Sequence, residues 1–205
     1  MPLDITHEDF LSPDQVTALK EYARARAELG TGDRREHPVR DWGILHVALD
    51  AGLRVSEICA LEVRDLILDT HHASVIVRNG KGDKKRGVRI GSSLRDHLEQ
   101  FIAWKQTRGE PTTSRAPLFV SGRGGALTRT AVYRVFRRYA DAVGIPQRFS
   151  IHSCRHTYAS MLYRASSFNL RLVQKQLGHR SIQTTQIYAD ILSEDAALAV
   201  ENLPQ

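Results

Sequence analysis

The chain has 205 residues, of which 41% are hydrophobic and 25% charged, as in globular proteins with a sizeable core. No apolar run approaches the roughly 18 residues of a membrane span and the start shows no signal-peptide pattern, so we expect a cytoplasmic protein without a membrane partner. Cys59 and Cys154 lie far apart and outside any CxxC spacing, which argues against a disulfide framework or a zinc ribbon.

The formal net charge of +6 is distributed unevenly along the chain. Residues 123–188 contain eleven Lys and Arg and one acidic residue, which gives +10; the remainder has 18 basic and 22 acidic residues, which gives −4. A polyanion is therefore the expected partner of the second half. The alternative is a solvated surface whose asymmetry has no function.

The first half of the chain begins with helical signals. Ser12, Pro13 and Gln15 form a capping pattern that predicts a helix over about 13–29. The polar segment 31–38 reads as a linker, and Pro38 opens a second helix that ends near Gly52. A third, shorter helix is expected from Val55 to Leu61.

A β-rich region follows. VIV at 75–77 and GVRI at 87–90 flank the glycine-bearing turn NGKGDKK, which predicts an antiparallel hairpin. LFVS at 118–121 reads as a short extended piece. Helical spacing predicts further helices at about 92–109, 128–143, 152–165, 169–177, 181–190 and 194–203. The predicted fold is α+β but mostly α, with a small antiparallel β-sheet. Trp42 and Trp104 fall on apolar helical stripes and are assigned to the core.

Two polar features stand out in the first half. Arg54 and Glu57 are spaced i, i+3 and can pair on one helical face, although a simple surface salt bridge has the same spacing. Lys81 lies between glycines in the hairpin turn, where an ammonium can reach outward. The alternative is that Lys81, like many lysines at hairpin tips, only limits aggregation.

Two more polar features lie in the basic half. In IHSCRH, His152 and Arg155 are spaced i, i+3 and can face one ligand. His152 and His156 have the spacing of a zinc-protease helix, but Ser153 stands where that motif needs a glutamate, so no metal is expected. In LGHRSIQTTQIY, His179 precedes Tyr188 by nine residues. Taken alone, Tyr188 could be a packing residue.

Together these motifs resemble the catalytic domain of the tyrosine recombinases, the phage integrase family. The resemblance rests on GLRVSEICAL, GKGDKKRGVRI, HSCRH and LGHRSIQTTQIY. The sequence is similar to both Xer-type and short fimbrial-switch-type recombinases. It implies a mostly helical catalytic domain at 11–192, an N-terminal extension at 1–10, and a C-terminal tail helix at 193–205 that docks on a neighbouring protomer. Family members usually carry a further N-terminal DNA-clamping domain, so the chain is expected to be either a fragment or a single-domain recombinase.

The resemblance also implies roles for individual residues. The implied catalytic residues are Arg54, Lys81, His152, Arg155, His179 and Tyr188, with Glu57 in support. Tyr188 is the nucleophile that forms a 3′-phosphotyrosyl bond, His152 the base and Lys81 the acid. Arg54 and Arg155 clamp the phosphate, because planar guanidinium groups match two phosphate oxygens at once. No metal or other cofactor is implied.

The implied function is site-specific DNA recombination or integration. The implied partners are double-stranded DNA, other protomers in a tetrameric synaptic complex, and accessory DNA-bending proteins; the implied location is the cytoplasm, with the nucleoid. Two alternatives stay open, a type IB topoisomerase-like relaxing enzyme and a catalytically silent DNA-binding regulator.

Overall fold

The computed structural model describes residues 9–30, 37–78, 85–179 and 181–191. Its helices are α1 (Pro13–Glu28), α2 (Pro38–Asp50), α3 (Val55–Cys59), α4 (Ser92–Thr107), α5 (Arg129–Ala142), α6 (Ile151–Ala165), α7 (Leu170–Leu177) and α8 (Gln183–Ile191). Its strands are β1 (Leu66–Ile67), β2 (Ser74–Arg78) and β3 (Lys85–Arg89). The mostly helical fold with a small antiparallel sheet is as predicted.

The start of α1 is fixed by the capping pattern that the sequence predicts. The Ser12 hydroxyl accepts from the Gln15 backbone N–H at 3.2 Å, and the Gln15 side chain accepts from the Ser12 N–H at 3.0 Å. The helix then buries one apolar face, which includes Leu19 and Ala23, against its neighbour α2. Local capping and burial thus agree on where this helix lies.

The sheet has three strands in the order β1-β2-β3, all antiparallel. The two predicted strands pair from Ser74 opposite Arg89 to Arg78 opposite Lys85, and Val75, Val77 and Val88 point into the core. The additional strand β1 has two residues, too few for an alternating pattern to be recognised. The predicted extended piece at 118–121 takes part in one isolated bridge, Val120 opposite Ala126.

The main core surrounds α2, whose residues from Ile44 to Ala48 are all buried. Trp42 is buried as predicted, and its ring stacks on His46 and His97 at centroid distances of 4.4 and 4.9 Å. The sequence assigned no role to either histidine. Together the three rings form a packed layer between α2 and α4.

A second, smaller cluster lies where α6, α7 and α8 meet. It contains Ala159, Val173, Leu177 and the ring of Tyr188, with Phe10 packed against it from before α1. Both ends of the described chain therefore converge on Tyr188.

Several expectations fall outside the described residues. They are the linker at 31–36, the hairpin turn that carries Lys81, most of the N-terminal extension and the helix at 194–203. Cys59 and Cys154 are free cysteines, the latter fully buried. In the described ranges, every helix is too short or too polar to cross a bilayer.

Candidate active site

The first site arginine lies on a sharp turn between α2 and α3. Gly52 has a φ of +58°, and a Cβ atom there would lie 2.2 Å from the ring of Tyr158. Only glycine fits this turn, because it alone combines the left-handed conformation with the absence of a side chain. The turn leads into Arg54, the N-cap of α3, whose side chain is 39% exposed.

The carboxylate of Glu57 accepts hydrogen bonds from two arginines. Arg54 donates to it from its backbone N–H at 2.8 Å and from Nη1 at 2.9 Å. Arg86, on β3, donates from both terminal nitrogens to both carboxylate oxygens at 2.8 and 2.9 Å. Burial alone would raise the pKa of Glu57, but these hydrogen bonds and charges outweigh burial and lower it. Glu57 therefore stays ionised.

Arg155 is buried in α6 beside this pair. Its Nη1 donates to the carbonyl of Gly52 at 2.6 Å, and its Nη2 donates to the carbonyl of Leu177 at 2.8 Å. Nη1 also lies 3.9 Å from Glu57 Oε2. Burial and the charge of Arg54 lower the pKa of Arg155 to about 10, so it remains charged at neutral pH. The guanidinium thus ties the turn before α3 to the end of α7.

His179 follows α7 and is oriented by a threonine. Gly178 ends α7 in the left-handed region at φ +67°, and the chain then turns so that His179 Nδ1 lies 2.9 Å from Thr185 Oγ1. Burial and the charges of Arg155 and Arg54 lower the pKa of His179 to about 4. The imidazole is therefore neutral at pH 7.

Tyr188 is 2% exposed and lies among three rings. Its ring is parallel to that of His179 at 6.4 Å, and Phe10 approaches it at 6.3 Å. Its hydroxyl lies 2.9 Å from Nδ1 of His156. Burial raises the pKa of Tyr188 to about 12, because it outweighs the opposing charges of Arg155 and Arg54. The phenol is therefore protonated in this arrangement.

His152 lies apart from Tyr188, as an exposed residue in the first turn of α6. Its Nε2 is 2.6 Å from the hydroxyl of Tyr133 on α5. Burial and the charge of Arg155 lower its pKa, so the ring is neutral at pH 7. The predicted base and the predicted nucleophile thus each have a different hydrogen-bond partner.

The structure brings five predicted site residues together: Arg54, Glu57, Arg155, His179 and Tyr188. His152 lies at the edge of this group, and Lys81 lies outside the described residues. Three guanidinium groups around one carboxylate leave a net positive charge suited to an anion such as phosphate. Across the described ranges there is no group of three or more His, Cys, Asp or Glu that could hold a metal ion.

Four contacting residues were missed by the sequence interpretation: Arg86, His156, Thr185 and Tyr133. Arg86 sits in GKGDKKRGVRI, and Thr185 in the threonine pair of LGHRSIQTTQIY, so their motifs were recognised while their partners were not. His156 was considered only as a metal ligand. Tyr133 shows no signal in the sequence, because its contact with His152 depends on how α5 packs on α6.

Comparisons with known proteins identify the family of this chain. The sequence matches the phage integrase family over residues 9–194. A tyrosine recombinase XerC of Thermodesulfovibrio yellowstonii is 36% identical over 155 residues, which are 74% of this chain and 50% of that protein. The chain spans about half the length of the curated relatives it matches.

Solved structures show the same fold. The crystal structure of the XerA recombinase matches with a TM-score of 0.75 and 29% identity, covering 96% of this chain and 65% of that one. The XerH site-specific recombinase, bound to a palindromic difH substrate after cleavage, matches with a TM-score of 0.78 and 24% identity, covering 94% of this chain and 52% of that one.

Proposed function

Because the chain belongs to the phage integrase family, we propose that it is a site-specific DNA recombinase that acts through a covalent 3′-phosphotyrosyl intermediate on Tyr188. The observation that carries this proposal is the cluster of Arg54, Arg86 and Arg155 around the single carboxylate of Glu57, with Tyr188 beside it. A cationic pocket next to a tyrosine suits attack on a phosphodiester.

Arg54 and Arg155 bind the scissile phosphate in this proposal. Arg54 keeps part of its guanidinium exposed, whereas Arg155 uses one N–H of each terminal nitrogen on a carbonyl and retains other donors. Arg86 holds Glu57 in place, and Glu57 lies beside both cations and neutralises only part of their charge. Removing either phosphate-binding arginine should slow cleavage by about 10² to 10³, as for other preorganised oxyanion donors.

The chemistry is a balanced exchange of phosphodiester bonds. The Tyr188 oxygen attacks phosphorus and forms the phosphotyrosyl bond, while the bond from phosphorus to the 5′ oxygen breaks. His152 takes the phenol proton, and Lys81 gives a proton to the departing 5′ oxygen. His179 donates a further hydrogen bond to the phosphate. Attack by a 5′-hydroxyl reverses the sequence, so neither a metal nor a high-energy cofactor is needed.

The buried phenol has to move before it can react. At a pKa of about 12, about one Tyr188 in 10⁵ is ionised at pH 7, and its hydroxyl is bound to His156 rather than His152. Binding of DNA is proposed to draw α8 out of its pocket, so that the phenol leaves His156 and reaches the phosphate and His152. In this proposal the arrangement described above is the resting state of the enzyme.

We infer that double-stranded DNA and further copies of the protein are the partners. Strand exchange joins two DNA duplexes, which needs four active sites, so a tetrameric synaptic complex is proposed, with accessory DNA-bending proteins where the sites require them. The tail at 193–205 would dock on a neighbouring protomer. The protein would work in the cytoplasm, at the nucleoid.

A trapping experiment tests the proposal. The 205-residue chain is incubated with a pool of nicked DNA duplexes of random sequence, so that the short fragment that carries the free 5′-hydroxyl diffuses away after cleavage and religation is prevented. We expect adducts that survive SDS, with the phosphate mapped to Tyr188 by mass spectrometry. Tyr188→Phe should abolish them, and sequencing the trapped DNA gives the site preference.

The alternative functions predict other outcomes. An adduct that persists in Tyr188→Phe would disprove the assignment of the nucleophile. Relaxation of supercoiled DNA without exchange between duplexes would favour a topoisomerase. Tight DNA binding without any adduct in the wild-type chain would favour a silent regulator.

A further inference from the structure

The exposed histidine of the candidate site has a partner from another helix. Tyr133 Oη lies 2.6 Å from His152 Nε2, and the two rings meet at a centroid distance of 5.7 Å and an angle of 58°. Tyr133 is partly buried and packs against the main core, so the position of its hydroxyl is fixed. His152, by contrast, projects from the first turn of α6.

The direction of this hydrogen bond follows from the two groups. A phenol is a better donor than a neutral imidazole N–H, and an imidazole lone pair is a better acceptor than a phenol oxygen. The favoured arrangement therefore has Tyr133 donating to Nε2. A neutral imidazole that accepts at Nε2 must carry its proton on Nδ1.

We propose that Tyr133 is a positioning residue for His152, which it holds in the orientation and tautomer that leave the lone pair on Nε2. This inference rests on the proposed function, in which His152 accepts a proton from the nucleophile. In this orientation the Nε2 lone pair points toward the Tyr133 hydroxyl. Nε2 has a single lone pair, so the Tyr133 hydroxyl has to turn away before this nitrogen can accept the Tyr188 proton in the cleavage step.

The surroundings of His152 make its titration sensitive to this contact. In the part of the chain that the structure describes, Arg155 and His156 from α6 and Tyr133 from α5 are the titratable groups that bear on it. Burial and Arg155 already favour the neutral ring. A hydrogen bond donated to the neutral ring favours it further, so its loss should raise the pKa of His152.

The first test needs no DNA. Two-bond ¹H–¹⁵N spectra of the chain with ¹⁵N-labelled histidine report the tautomer and pKa of each ring, and His152→Gln identifies the signals. We expect a proton on Nδ1 of His152 in the wild type, and a more mixed tautomer with a higher pKa in Tyr133→Phe. Tyr139→Phe, which removes a hydroxyl from the same helix, should leave the His152 signals unchanged. An Nδ1 without a proton, or signals unaffected by Tyr133→Phe, would overturn the inference.

The second test asks whether the contact matters to the reaction. On DNA selected by trapping, the rate of adduct formation at saturating DNA is measured from pH 5.5 to 9 for the wild type, Tyr133→Phe and Tyr139→Phe. We expect the acid limb of Tyr133→Phe to move to higher pH by about half to one unit, which lowers the rate roughly three- to tenfold on that limb. The rate near pH 9 and the affinity for DNA should stay close to wild type.

Each further outcome has one meaning. A loss of rate that is equal at all pH values would indicate structural damage, and an unchanged profile would indicate no role; both overturn the positioning role of Tyr133. A wild-type chain that forms no adduct overturns the proposed function and, with it, the role of Tyr133 in the reaction. In that case the spectra still show whether Tyr133 donates a hydrogen bond to His152 Nε2.

Discussion

At the scale of single residues, hydroxyl groups fix the imidazoles of the candidate site. His179 is held neutral by burial and by the charges of Arg155 and Arg54, which lower its pKa to about 4. A neutral imidazole has one donor and one acceptor nitrogen, and its partner determines which is which. Thr185, which is fully buried, supplies that partner at 2.9 Å.

Replacing Thr185 by valine should therefore free His179 to rotate. We expect Thr185→Val to reduce adduct formation about tenfold or more, by analogy with metal-binding histidines, whose function typically falls that much when the orienting partner is removed. The free energy of unfolding should fall by about 1 kcal/mol, the usual contribution of one hydrogen bond. Trapping kinetics and chemical denaturation measure the two effects.

Thr184 provides the matched control, because it lies in the same helix but is exposed. Thr184→Val should change neither quantity appreciably. Equal losses in both variants would contradict the role assigned to the Thr185 hydroxyl.

At the scale of elements, the site depends on how helices begin and end. The turn before α3 and the end of α7 both contain a glycine at positive φ, and Arg155 donates to a carbonyl at or beside each of them. The two backbone segments that carry Arg54 and His179 are therefore joined through one guanidinium. A change in either turn should displace both side chains.

Gly52→Ala tests this dependence. The added Cβ would lie 2.2 Å from the Tyr158 ring at a φ of +58°, so strain and overpacking add up. We expect a loss of about 2 to 4 kcal/mol in the free energy of unfolding. Gly109→Ala has a similar φ of +67° but open space around the Cβ, and should cost only about 1 kcal/mol. Similar losses in the two variants would show that the contact with Tyr158 does not matter.

The segment before α1 covers the proposed nucleophile. Phe10 packs on Tyr188 at 6.3 Å and edge-on to His156 at 6.5 Å, and the backbone N–H of Leu11 donates to Thr157 Oγ1 at 2.9 Å. This segment is thus anchored on α6 and excludes solvent from the phenol.

Phe10→Ala should expose Tyr188 to solvent. Because burial is the main cause of its raised pKa, that pKa should fall from about 12 toward 10, and each unit of decrease gives about tenfold more phenolate. Nitration by tetranitromethane followed by peptide mapping reports this change at Tyr188. Phe168→Ala removes an exposed ring that contacts Tyr163 instead, and should leave nitration of Tyr188 unchanged. Equal nitration of Tyr188 in the two variants would disprove that Phe10 shields it from solvent.

At the scale of the whole molecule, the sequence predicts what is encoded locally. Capping at Ser12 and apolar spacing define the helices, and the motif order identifies the family, so the fold and the group of Arg54, Glu57 and Arg155 could be predicted. The burial of Tyr188 could not, because it depends on Phe10 from the other end of the chain. His152 and His156 lie on one face of α6, and packing alone decides which of them contacts Tyr188.

The same long-range packing makes stability depend on pH. His97 Nδ1 lies 2.8 Å from His46 Nδ1, and both rings stack with Trp42. One of these two nitrogens must donate and the other accept. Burial, with a smaller effect from His46, lowers the pKa of His97 to about 4. The buried histidine layer therefore opposes the uptake of a proton.

The direction of the pH effect follows from the two states of His97. The unfolded chain binds a proton there as the pH falls through about 6.5, whereas the folded chain binds one only near pH 4. Between these values a falling pH favours unfolding, by up to about 3 kcal/mol from this group, and below pH 4 its contribution no longer changes. His97→Gln should flatten the decline in denaturation midpoint between pH 7 and 4.5, whereas His71→Gln, at an exposed site, should keep it. An equally steep decline in both variants would mean that other groups, such as His179 with its similarly lowered pKa, control the acid stability.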